Sequence, residues 1–197
     1  RLLSLAAAFT AGAALVYAAL PRRSSRPRIH PDLASLVGNT PLLRVASLSE
    51  ATGCEVLVKC EWLNPGGSVK DRVAAAVLAG GLASGALLPG GLVTEGTAGS
   101  TGVSLAALAP SFGLAAAVWL PDDAAGEKGA LLEALAARVT RVRPVPIAHP
   151  AHFVHAARAG AVEAREAAGF SSALFADQFE SPTSAAVHAA TTGPEIW

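Results

Sequence analysis

What most restricts the fold of this chain is a repeated order of elements: a short apolar run, then a glycine-rich loop, then an Ala/Val-rich stretch of helical character. Glu55–Cys60 (EVLVKC) is β-branched and leads through Asn64-Pro65-Gly66-Gly67 into a helix expected from Ser68 to about Gly80. The segment 91–95 leads through Gly96-Thr97-Ala98-Gly99-Ser100-Thr101-Gly102 into an apolar helix ending near Pro110, and residues 114–120 (LAAAVWL) read as the next strand. A helix near 127–137, a strand over 139–143 and a long Ala/Glu/Arg helix near 151–167 continue the alternation. Strands alternating with helices imply a parallel sheet covered on both faces. The expected fold class is α/β, a parallel twisted sheet with helices on both faces, preceded by one N-terminal apolar helix.

Composition bears on that first helix. Of 197 residues, 52% are apolar and 15% charged, a balance that points to a buried α/β core, a membrane segment, or both. Residues 2–20 are 19 consecutive uncharged residues, nearly enough as a helix to cross a hydrocarbon layer of about 30 Å. The basic run Arg22, Arg23, Arg26 and Arg28 after it would hold the body on the cytosolic side. The expected division is therefore 1–28, a membrane anchor or targeting segment with a basic flank, and 29–197, the body. A cleaved targeting peptide and a soluble helix remain open for 2–20. Residues 29–197 carry ten basic against fifteen acidic side chains, net −5, which excludes nucleic-acid binding by bulk charge. Two cysteines exclude a disulfide scaffold.

In α/β sheets, ligands collect where loops leave the carboxyl ends of strands and enter helix N-termini. Two loops fit. In Asn64–Arg72 (NPGGSVKDR), Ser68 and Asp71 have capping-box spacing, which places Lys70 in the first helical turn. The helix dipole disfavours a cation there, which favours a neutral amine able to condense with a carbonyl, while Gly66 and Gly67 let the backbone approach a planar group. A surface lysine beside a capped helix fits the same spacing. In the second loop, Thr97, Ala98, Gly99, Ser100, Thr101 and Gly102 offer N–H groups and hydroxyls that can hold a carboxylate without a cationic side chain. Its glycine spacing is also close to a dinucleotide fingerprint, with Asp122 placed 20 residues beyond Gly102.

Other signals carry less. His149, His152 and His155 recur at helical spacing with no carboxylate or cysteine to complete a metal set, and read as surface histidines. Cys54 and Cys60 match no zinc spacing, and Cys60 reads as core. Trp62 and Trp119 read as packing residues.

NPGGSVKDR at 64–72, VGNTPL at 37–42 and TGPEIW at 192–197 together resemble the cysteine synthase and cystathionine β-synthase branch of the fold-type II pyridoxal-phosphate enzymes. The resemblance implies a tryptophan synthase β-like fold, pyridoxal 5'-phosphate as cofactor, and Lys70 as the cofactor lysine and catalytic residue. It also implies that Thr97, Ala98, Gly99, Thr101 and Gly102 hold the substrate carboxylate and that Ser100 faces the cofactor. The stretch Gln178-Phe179-Glu180-Ser181-Pro182 is similar to the family's QF-x-N-P, which gives Gln178 a share in carboxylate binding; by itself Gln178 is equally a loop amide. Two departures stand out: Ala98 replaces a serine and Ser100 an asparagine of the family's TSGNTG. Val69 before the lysine favours the sulfhydrylase side over the dehydratases, which usually carry phenylalanine there.

The implied activity is β-replacement on O-acetylserine by sulfide, with an amino-acid substrate and a homodimer at full length. The alternatives are a membrane-tethered binding or regulatory protein that has lost turnover, and another β-elimination or β-replacement. The altered glycine loop and the apolar N-terminus resemble a membrane-anchored mitochondrial subgroup. That implies a catalytic domain facing the cytosol from the outer membrane, or an organellar one after transit-peptide cleavage. Because the family's phosphate-binding loop lies in its second half, the resemblance further implies that 29–197 is the N-terminal portion of a catalytic domain and inactive alone.

Overall fold

Leu92–Gly96 (β3) is buried at all five positions, as a strand must be when helices cover both faces of its sheet. The computed structural model describes residues 29–167 and 169–197, with Pro31–Trp197 as one compact unit. Around β3 run three parallel strands, β4 (Ala115–Pro121), β5 (Arg138–Val142) and β6 (Ala173–Phe175), in the order β5-β4-β3-β6. The chain builds outward from β3 to β4 to β5, with α4 (Gly126–Ala134) between the last two, then returns through α5 (Phe153–Glu166) to the far side of β3. The loops after β3 and β6 therefore leave from adjacent strands at the point where the strand order reverses.

The two faces follow the strand period of two. Val93 and Val118 face a larger core with Leu78, Leu105 and Leu108, contributed by α2 (Lys70–Ala83) and α3 (Ser100–Leu108). Leu92 and Ala117 face the opposite side and meet Ala161 of α5. Small residues let α5 settle closely: a Cβ at Gly160 would overlap the Trp119 ring, and one at Gly96 would overlap the Phe153 carbonyl.

Three expected strands and four expected helices lie within a few residues of their observed limits. Glu55–Cys60 differs. Its observed part, β2 (Leu57–Lys59), pairs antiparallel with β1 (Leu42–Arg44) in a separate two-stranded ribbon. Antiparallel partners need only a short connection, here α1 (Ala46–Thr52) ended by Gly53 at φ +70°, whereas a parallel partner requires a long crossover. The short β1 and β6 carry three residues each, too few for a periodic signal in the sequence.

The expected membrane-anchored localisation is corrected: among the described residues no helix is long and apolar enough to cross a membrane. Segment 2–20, on which the expected anchor and N-terminal helix rested, lies outside the described residues.

Leu108 is 0% exposed in the larger core and Leu88 is 47% exposed. Leu108→Ala is expected to lower unfolding free energy by about 2–5 kcal/mol and Leu88→Ala by less than about 0.5 kcal/mol, measured by urea denaturation of the full-length protein.

Candidate active site

Lys70 is the first residue of α2, and its N–H donates to Ser68 Oγ at 3.1 Å, a bond two residues along the chain. The expected capping box is not made, since the Asp71 N–H donates to the Ser68 carbonyl and not to its hydroxyl. The buried Asp71 carboxylate turns into the preceding loop, where it accepts the Gly66 N–H at 2.5 Å and the Ser104 hydroxyl. That approach explains Gly66, since a Cβ there would overlap Asp71 Oδ1. Gly67 sits at φ +78° in the left-handed region, with open space above it. Burial pushes the Asp71 carboxyl up, against the bonds from Ser104 and Gly66 that stabilise its charge.

Ser104 joins the two loops. It lies one turn into α3 from Thr101, donates to Asp71, and stands 3.5 Å from Ser68 Oγ. At the start of α3, Thr97 Oγ1 accepts the Gly99 N–H at 3.0 Å, shaping the turn that leaves β3. Thr97, Thr101 and Gly102 are buried, Ser100 is half-buried, and Ala98 and Gly99 are exposed, so the loop shows backbone and small side chains at its rim. Thr101 Oγ1 donates to Gln178 Oε1 at 2.5 Å. Gln178 reaches this position because β6 pairs with β3. The structure thus brings the loop 97–102 together with Gln178 directly and with the Lys70 loop through Ser104.

An ion cluster around one buried guanidinium holds the base of the lysine loop. Arg72 is 2% exposed and donates to Glu61 Oε2 at 2.8 Å and to the Glu195 carboxylate through two nitrogens, each at 2.7 Å. Lys59 Nζ lies 2.6 Å from Glu195 Oε2, the Asn39 N–H donates to Glu195 Oε1 at 3.0 Å, and Thr40 donates to Glu61 at 2.5 Å. The three motifs at 37–42, 64–72 and 192–197 therefore meet on one guanidinium. Arg72 holds the Glu61 carboxyl at about 2, and Arg72 with Lys59 holds Glu195 below the carboxylate range.

Sequence reasoning missed Glu95 and Ser104. Glu95 is 0% exposed in β3; Oε1 accepts the Gly96 N–H at 2.9 Å and Oε2 accepts the Gln178 N–H at 3.1 Å. Burial pushes its carboxyl up to about 7, a greater effect than the opposing bonds from Gln178 and Gly96. A charged residue inside an otherwise apolar strand was the available signal.

The described residues contain no group of three potential metal ligands. His152 is not a surface residue: it is 8% exposed and caps α5, its Nδ1 accepting the Val154 N–H at 3.3 Å. Trp119 packs against Gly160 as expected, but Trp62 is 54% exposed and packs little. Cys60 is buried and Cys54 exposed.

Arg72→Met leaves the half-buried Glu61 without its cation and Glu195 with Lys59 alone, and is expected to cost about 1–3 kcal/mol near pH 7 by urea denaturation. The Glu61 contribution is full above its unfolded value of 4.5 and disappears as pH falls through about 2, so the penalty shrinks in acid. Glu95 acts with the opposite sign: its stability contribution is full below 4.5 and is lost as pH rises through about 7, a change of about 3 kcal/mol. Glu95→Gln is expected to flatten the stability profile of the protein over that window.

The profile of the family described as pyridoxal-phosphate dependent enzyme matches residues 33–197. Cysteine synthase 2 of Schizosaccharomyces pombe is 43% identical over 193 residues, covering 92% of this chain and 48% of its own length. Cysteine synthase 2 of Neurospora crassa is 50% identical over 165 residues, covering 82% of this chain and 36% of its own. The chain thus spans about half, or less, of the relatives it matches. Among solved structures, an O-ureido-L-serine synthase superposes with a TM-score of 0.72 at 30% identity, over 86% of this chain and 50% of that one. The dinucleotide interpretation of Gly96–Gly102 gives way to these matches, which agree with the lysine motif and with the α/β architecture around it. On sequence and fold alike, the chain belongs to the pyridoxal-phosphate dependent enzyme family.

Proposed function

We propose that the full-length protein is a cysteine synthase, which replaces the acetate group of O-acetylserine with sulfide to give cysteine and acetate. The observation that carries this reading is the joining of the Lys70 loop, the N-terminus of α3 and Gln178 through Ser104 and Thr101. The names of the fungal relatives support the same reaction.

The residues present suit pyridoxal phosphate. Lys70 supplies the amine, Gly67 in the same loop has open space where a Cβ would stand, and Ser100 places a hydroxyl at the α3 terminus. When bound, pyridoxal phosphate supplies an electron sink that acidifies the substrate Cα–H. Lys70 Nζ would take that proton as the Cβ–O bond to acetate breaks, and would return a proton to Cα once the sulfur of hydrosulfide has bonded to Cβ. Thr97, Ala98, Gly99, Thr101 and Gly102 hold the substrate carboxylate through backbone N–H groups and hydroxyls at a helix N-terminus, with Gln178 closing the other side. Such a cradle orients an amino acid without a cationic side chain, so the carboxylate is bound by aligned dipoles. Ser100 reaches less far than an amide side chain, and its hydroxyl can donate one hydrogen bond toward the cofactor. The homodimer expected of the full-length protein belongs to this reading, supported by the family resemblance.

The full-length protein mixed with pyridoxal phosphate is expected to show a visible absorption band that Lys70→Ala lacks, and to form cysteine from O-acetylserine and sulfide. Lys70→Ala is expected to lower turnover by at least about 10³-fold. A wild-type band that does not respond to O-acetylserine would point to a different donor or a non-catalytic role, and a missing band would sink the proposal.

A further inference from the structure

We propose that Glu95 is a positioning residue that sets the spacing between the two halves of the carboxylate cradle, the loop 97–102 and Gln178. The inference rests on the cradle assignment made above.

The need for such a residue follows from how β3 and β6 part. Their ladder runs from Leu92↔Ala173 to Thr94↔Phe175, and the Ala176 N–H still donates to the Thr94 carbonyl at 2.9 Å. At Asp177 the backbone enters the left-handed region at φ +54° and β6 turns away. Beyond that point Gln178 is no longer carried by the ladder. The Gln178 N–H instead donates to Glu95 Oε2 at 3.1 Å, so a side chain of β3 replaces the lost backbone acceptor. The other oxygen, Oε1, accepts the Gly96 N–H at 2.9 Å, where the chain leaves β3 for the loop. One carboxylate therefore holds Gly96, the residue from which the loop 97–102 departs, and Gln178 itself.

Both arms are otherwise constrained so that this spacing is transmitted. Gly96 lies against the Phe153 carbonyl too closely for any Cβ, which prevents the loop from shifting toward α5. On the other arm, the Gln178 side chain accepts from Thr101 at 2.5 Å, and its Nε2 is 3.5 Å from the Gly96 carbonyl. Moving the Gln178 backbone would thus move an amide group that touches the cradle. Arg158 pairs with Asp177 at 3.1 Å, but that pair is on the outside of the turn and leaves the Gln178 N–H to Glu95.

The chemistry of the side chain is specific. Two N–H groups require two acceptors; above about pH 7, where Glu95 is ionised, its carboxylate offers both, whereas an amide offers one acceptor and one donor. Glu95 is 0% exposed, so water does not substitute for a lost bond.

The test uses the full-length protein loaded with pyridoxal phosphate and titrated with L-alanine, which has the carboxylate and amine of a substrate but no leaving group, followed by its visible spectrum. Glu95→Gln is expected to weaken L-alanine binding about tenfold, the loss of one hydrogen bond to a buried charge, while the cofactor band is unchanged. Glu95→Asp, which keeps the charge and loses reach, is expected to weaken it similarly, and serves if the glutamine variant does not fold. In the cofactor-free protein, hydrogen exchange at the Gly96 and Gln178 amides is expected to quicken in both variants. With O-acetylserine and sulfide, KM for O-acetylserine is expected to rise while kcat and KM for sulfide stay within about threefold. Wild-type affinity for L-alanine in the variants, even with lowered melting temperature, would overturn the positioning role alone. A wild-type protein that shows the Lys70-dependent band but does not bind L-alanine would overturn the cradle assignment, and this inference with it.

Discussion

The parallel pairing of β3 with both β4 and β6 is the constraint on which the site depends. β3 is buried at every position, and the chain places strands on both sides of it by building outward to β5 and then crossing back. That crossing makes the loops after β3 and β6 neighbours. An anion cradle formed from residues 97–102 and Gln178 is a consequence of strand order, because no local interaction spans the 77 residues between Thr101 and Gln178. The small residues at Gly96, Ala117, Gly160 and Ala161 serve the same end, since they let α5 close over the sheet and hold the crossover in place.

The ion cluster on Arg72 is a second constraint, of a different kind. Burying a guanidinium and partly burying its two carboxylates costs desolvation that their attraction offsets only when the geometry is good, so such a cluster adds specificity more than net stability. Here the geometry is good: Glu195 meets Arg72 at two nitrogens, each at 2.7 Å, and is also bonded by Lys59 and the Asn39 N–H. Segments near 39, 61, 72 and 195 can satisfy these charges only by meeting at one place. The lysine loop is thus held from below by Arg72 and from within by Asp71, two consecutive residues with opposite tasks.

Much of this was legible from residues. The strands at 92–96, 115–121 and 138–142 have apolar runs long enough to show, and Gly66, Gly67 and the glycines of 96–102 marked both loops before helices. Lys70 stood out because a cation is unusual in a first helical turn. The β1–β2 ribbon did not show, because a five- or six-residue β-branched run has the same appearance in a parallel sheet and in an antiparallel pair. Ser104 and Glu95 were missed because their importance lies in partners distant in sequence: Asp71 in one case and Gln178 in the other.

Local periodicity, backbone freedom and side-chain chemistry are enough to set the element types, the two glycine-rich loops and the residue types able to hold a carbonyl cofactor and a carboxylate. Which strand lies beside which, that Asp71 reaches Gly66 and not Ser68, and that a buried carboxylate on β3 takes over where β6 leaves the ladder emerge from the packed chain alone. Those outcomes depend on burial and on the pairing of N–H and carbonyl groups across the sheet, and neither is defined until distant segments are packed together.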